Sequence, residues 1–245
     1  MITPNMNKVE IQKQMWTVNN ESALVVACVH KFGKECRKLP KGRVVMTRRF
    51  FHKETNQAYI ICMAQSNGVA GSLMVAEVDH GKQKWYYVIS EDLTDTTDAY
   101  SAHFFKRYAE REGLPFVMPN IINRFFMDNR NVVKIYESED GLQLAYASRN
   151  GITLCRFDKE RGVTKHCTYV SRDMLGETQE AALEAILGDI DEIDEIQRGF
   201  KPVHRTTMKD VNKHWQANRD WANSLDESSQ VACEIYKQYF EDIED

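Results

Sequence analysis

Short polar turns between runs of strand-forming residues constrain this chain more than any other feature. Residues 43–51, 58–64, 72–78 and 84–90 are rich in Val, Ile, Phe, Tyr and Met, and "KETNQ", "SNGVAG" and "DHGKQ" separate them. A second set follows at 132–138, 142–148, 152–157 and 164–171, with "EDG" and "RNG" as its tightest links. Parallel neighbours need a crossover of about a dozen residues or more, so spacers this short predict antiparallel pairing. The expected class is α+β, with two four-strand groups of antiparallel β-sheet packed with helices. Local spacing leaves open whether the groups share one sheet or form two.

Helical patterns fill the gaps. Residues 21–38 place Leu24, Cys28 and Val29 at helical spacing behind Asn20 as a cap, and "LPKG" ends the run. In "DAYSAHFFKRYAEREG" a helix capped by Asp95 or Thr97 is expected to stop at Gly113 and Pro115. Pro119 opens a further short helix, "PNIINRFFMDN". Beyond residue 171 the pattern turns helical, first in "RDMLGETQEAALEAIL". Next comes "GDIDEIDEIQRG", with Ile190, Ile193 and Ile196 on one stripe, and then two runs near 206–224 and 226–241. The expected organisation is an α+β core over 1–187 and an acidic helical C-terminal appendage over 188–245.

An apolar fraction of 42% and a charged fraction of 28% suit a folded core rather than a disordered chain. The longest apolar run, "ALVVACV", falls far short of the roughly 20 residues that span a bilayer. Cys28, Cys36, Cys62, Cys155, Cys167 and Cys233 form no CxxC pair, and most lie within apolar stretches. Reduced core thiols and a cytoplasmic location are the expectation.

Charge is unevenly spread. The net charge is −4, which argues against a general DNA binder. Residues 31–53 nevertheless hold nine Lys/Arg against one Glu, while residues 226–245 hold seven Asp/Glu against one Lys. A basic patch therefore coexists with an acidic total.

His103, Arg107 and Arg111 recur at intervals of four. At about 100° per residue, with Phe104 at zero, they fall near −100°, −60° and −20°, beside an aromatic face of Tyr100, Phe104 and Tyr108. A guanidinium beside a packing face needs a compensating partner, whether a carboxylate of the protein, backbone carbonyls or an anionic ligand, and its planar fork suits phosphate. Long Arg stems lying on aromatics with their heads in water give the competing, purely structural account.

In "KHCTYVS", strict strand alternation puts His166 and Thr168 on one face. With the helical row opposite, one His would act as base and the other as acid, while Arg107 and Arg111 stabilise phosphate charge. The catalytic set expected is thus His103, Arg107, Arg111, His166 and Thr168. Lys34, Lys38, Arg43, Arg48 and Arg49 lie near Phe50 and Phe51, a mixture that suits backbone and stacking contacts to single-stranded RNA.

No cofactor is expected, and no Cys/His spacing matches a zinc layout. The leading expectation is an RNA- or phosphate-handling protein, in its most specific form a metal-independent ribonuclease. The competing one, from another class, is a non-catalytic adaptor whose acidic C-terminal helices dock a basic protein partner.

Overall fold

A computed structural model describes residues 1–66, 69–89, 97–129 and 132–177, together with 180, 181, 183 and 184. The expected appendage over 188–245, its helices and Cys233 lie outside the described residues. Two helices come first, α1 (Lys8–Glu21) and α2 (Ala23–Lys38). Five strands follow: β1 (Val44–His52), β2 (Gln57–Ser66), β3 (Val69–His80), β4 (Gln83–Ile89) and β5 (Thr97–Ser101). Helices α3 (Ala102–Arg111) and α4 (Met118–Asp128) precede β6 (Val133–Glu137), β7 (Gln143–Ser148), β8 (Gly151–Asp158) and β9 (Val163–Ser171). The class is α+β.

All nine strands belong to one sheet, in the order β1-β2-β3-β4-β5-β9-β8-β7-β6. Every neighbouring pair is antiparallel except β5 and β9, which run parallel with Tyr100 opposite His166. The chain reaches β9 only after a long excursion through α3, α4 and three strands. That separation meets the length requirement for a parallel pair.

Two segments were not legible as elements. α1 carries Ile11, Met15 and Val18 at helical spacing and buries all three. It opens with a reciprocal cap: Glu10 N donates to Asn7 Oδ1 at 3.1 Å, and Asn7 N donates to Glu10 Oε2 at 2.9 Å. β5 occupies residues expected to be helical. The cap of α3 is Ser101, not Asp95 or Thr97: its Oγ accepts from Phe104 N at 3.0 Å, so the helix begins only when the strand has ended. The N-cap position of α2 is Ser22 rather than Asn20, and its side chain makes no capping hydrogen bond.

Helices cover both faces of the sheet. α3 and α4 pack Phe104, Phe105, Tyr108 and Phe125 over Ile60, Val75, Tyr86, Tyr100 and Tyr169. α1 packs on the other face over Tyr59, Ala76, Tyr87, Ala99 and Val163, and α2 lies beside it over Ile61 and Met63. Strand β2, covered from both sides, is buried along nearly its whole length. This is why its sequence reads as an unbroken apolar run rather than an alternation. No helix among the described residues is long and apolar enough to cross a membrane.

Candidate functional site

The α3 row turns away from the sheet. Phe104, Phe105, Tyr108 and Ala109 are the buried positions of α3. Their mean direction lies about 70° round from Phe104, so His103, Arg107 and Arg111 stand roughly 170°, 130° and 90° from the packing face. Accordingly His103 and Arg107 are exposed and Arg111 is half-buried. Tyr100, counted in the sequence as part of the helical aromatic face, belongs to β5, and this rotates the true packing face toward Phe105 and Ala109. Arg107 Nε donates to His103 Nε2 at 3.2 Å across one helical turn.

His166 sits underneath, in the core, with 6% of its surface exposed. Its ring stacks on Tyr100 at 3.9 Å between centroids and 15° between planes. Nε2 lies 3.0 Å from Asp98 Oδ1, and Nδ1 lies 3.2 Å from Cys155 Sγ. A carboxylate only accepts, so Nε2 carries the proton and Nδ1 accepts from the thiol. Burial pushes the Cys155 thiol well above its ordinary value, so it keeps that proton. The order thiol, imidazole, carboxylate is the one that nucleophilic hydrolases use. Here the sulfur is 0% exposed, so the set functions as a tie between β5, β8 and β9.

Thr168 is on the opposite face. A bulge in the β8/β9 pair puts Cys155 opposite His166 but Leu154 opposite Thr168. Cys155 and Leu154 are consecutive and point to opposite sides, so their partners do too. Cys167 is the inserted residue, and it is exposed. The expectation that His166 and Thr168 share a face rested on unbroken alternation, which the bulge interrupts. The five residues proposed for cleavage are therefore not gathered on one surface. Asp98, 68 residues before His166, had no signal in the sequence, whereas Cys155 is only 11 residues away, across the β8–β9 hairpin.

The basic segment also divides. Cross-strand pairing sets Arg49 opposite Ile60, whose side chain lies under α3 and α4, so the odd positions Arg43, Val45, Thr47, Arg49 and Phe51 share that face of β1. Arg48 points to the other face, toward the layer of α2 with its exposed Lys34 and Lys38. Lys38 is paired with Glu35 at 2.9 Å. Arg49 is paired with Glu77, whose other carboxylate oxygen is 3.4 Å from Lys84. Arg43 is exposed and makes no ion pair among the described residues.

Between this face of edge strand β1 and α4 runs an open groove of about 220 Å3. Val45, Leu114, Pro115, Ile121 and Met127 give it apolar walls, while Arg43, Asn120 and Arg124 supply polar groups. Asn123 holds α4 against β1, its Nδ2 donating to Thr47 Oγ1 at 2.7 Å and to Met46 O at 3.2 Å. Arg124 is anchored by Asp128, which also accepts from the Tyr108 hydroxyl at 3.1 Å. Beyond the groove β1 continues to Phe51, whose ring is 59% exposed. An apolar slot rimmed by two guanidinium groups suits a ligand that joins a flat ring to an anion.

Among the described residues no group of three His, Cys, Asp or Glu side chains could hold a metal ion. Compared with protein-family models, with curated proteins and with solved structures, the chain matches none.

Proposed function

We propose that this α+β protein handles RNA or another phosphate-bearing ligand by binding it in the groove between β1 and α4, without cutting it. The observation that carries this reading is the exposed Arg43, with no ion pair among the described residues, at the mouth of an apolar slot, with Arg124 across from it and Arg49 and Phe51 further along the same strand face. A base would enter the slot while its phosphate meets Arg43, and the next base would stack toward Phe51. Cleavage is left out of the proposal because His166 is enclosed and Thr168 lies on the other face.

The test is a titration of the full chain with a fluorescein-labelled ten-nucleotide oligo(U), followed by anisotropy. Arg43→Glu should weaken binding by about tenfold and flatten its salt dependence. Arg48→Glu, on the far face of the same strand, should change it less than about twofold. Equal effects of the two substitutions would sink the reading.

A further inference from the structure

The groove asks for an aromatic or apolar group joined to negative charge, and the chain carries such a group itself. Residues 239–245 read "YFEDIED": two aromatic side chains, an isoleucine and four carboxylates, with no basic residue. They end an acidic stretch, 226–245, with seven Asp/Glu against one Lys, while residues 31–53 around β1 hold nine Lys/Arg against one Glu. We infer that residues 239–245 dock in the β1–α4 groove of their own chain and mask it. This rests on the reading that the groove takes anions, and it adds the regulation of that site.

Three observations support this occupant. The first is chemical fit: Tyr239 or Phe240 matches the walls formed by Val45, Leu114 and Ile121, and Glu241 and Asp242 match Arg43 and Arg124. The second is that the structure disfavours a second copy of β1 at this edge. Antiparallel self-pairing would bring Arg48 and Arg49 close to their own counterparts, a like-charge arrangement that opposes association. The third is reach. Leu183 packs over the β6–β9 end of the sheet, whereas β1 is the opposite edge, between five and eight strand spacings away. At about 4.8 Å per spacing that is at most roughly 38 Å. The 55 or so residues between Glu184 and Tyr239 span several times that distance when extended. A tethered segment acts at an effective concentration in the millimolar range, enough to compete with a dilute ligand.

Zero-length carbodiimide coupling on the full chain tests this, because Lys41 lies two residues from Arg43 and is exposed. Mass spectrometry of the monomer should find Lys41 joined to a carboxylate within 241–245. Phe240→Ala keeps every carboxylate, yet it should reduce that link severalfold and tighten oligo(U) binding by about tenfold. If the link forms and weakens in Phe240→Ala while neither chain binds oligo(U), docking stands and the RNA reading fails. If both chains bind oligo(U) equally and no such link forms, docking is overturned and the RNA reading stands. A link found only between two chains overturns the inference, since the occupant is then a second copy.

Discussion

His166 donates its Nε2 proton to Asp98 Oδ1 at 3.0 Å, and that bond crosses the parallel junction where β5 and β9 join the two ends of the sheet. The same imidazole accepts from Cys155 on β8, so one buried side chain ties three strands. A parallel pair is slightly weaker per residue than an antiparallel one, and the junction is reinforced where it is weakest.

Replacing Asp98 by Ala strands the Nε2–H of His166 in the core. Chemical denaturation should show a loss of about 1–3 kcal/mol. Asp98→Asn keeps an oxygen acceptor and should cost less. Should the alanine variant unfold at the same denaturant concentration as the unmodified chain, the tie has no structural weight.

Gly151 is needed for close approach rather than for a turn. A Cβ there would run into Val170 O and come within 2.8 Å of the Tyr169 hydroxyl, whose one proton is shared between Glu112 Oε1 and Asn150 O. Gly151→Ala should destabilise by about 1–3 kcal/mol or more, because backbone cannot yield as a side-chain tip does. Gly71→Ala, with nothing within 4 Å of its added carbon, is the control and should be close to neutral.

Thiol labelling should follow exposure. Among the described cysteines Cys167, exposed at the bulge, should react first with a maleimide under native conditions, although burial of its sulfur raises the thiol above its ordinary value. Burial pushes the Cys62 thiol up to about 12 and the Cys155 thiol well above its ordinary value, so both should react only on unfolding. Early labelling of Cys155, read by mass spectrometry, would mean that the layer over His166 opens readily.

Stability should fall in acid partly through Asp158. Burial alone would raise its carboxyl, but the hydrogen bond from Lys165 at 2.8 Å, the Arg161 backbone N–H and the positive charge of both residues outweigh this and hold it below 3.8. A carboxyl depressed in the folded state contributes stability above its unfolded value and loses it as pH falls through the folded one. Thermal midpoints of the full chain should therefore drop below about pH 4. Lys165→Gln should lower the neutral-pH midpoint and flatten that acid limb; an unchanged limb would remove Asp158 from the account.

Much of the local structure was legible. Strands β1 to β4 and β6 to β9 fall within a few residues of where turn chemistry placed them, because Gly81, Gly141 and Gly162 hold positive φ at their turns. The helix 21–38 and the Pro119 helix also appear, as α2 and α4. α1 was missed although its Asn7–Glu10 cap and its Ile11, Met15 and Val18 stripe were there to read. β5 was missed because five residues running directly into α3 carry too short a pattern to separate from the helix.

Local pattern thus determined which runs pair antiparallel, since turns and side-chain alternation act over only a few residues. The tertiary structure alone decided that all the strands join one sheet, through a parallel contact between segments more than sixty residues apart. It also decided which side of α3 packs, which face Thr168 occupies and where Arg43 meets a groove. Those outcomes turn on one inserted residue in β9 and on a strand ending at Ser101, small local changes whose effect on side-chain direction appears only when the neighbouring strand is in place.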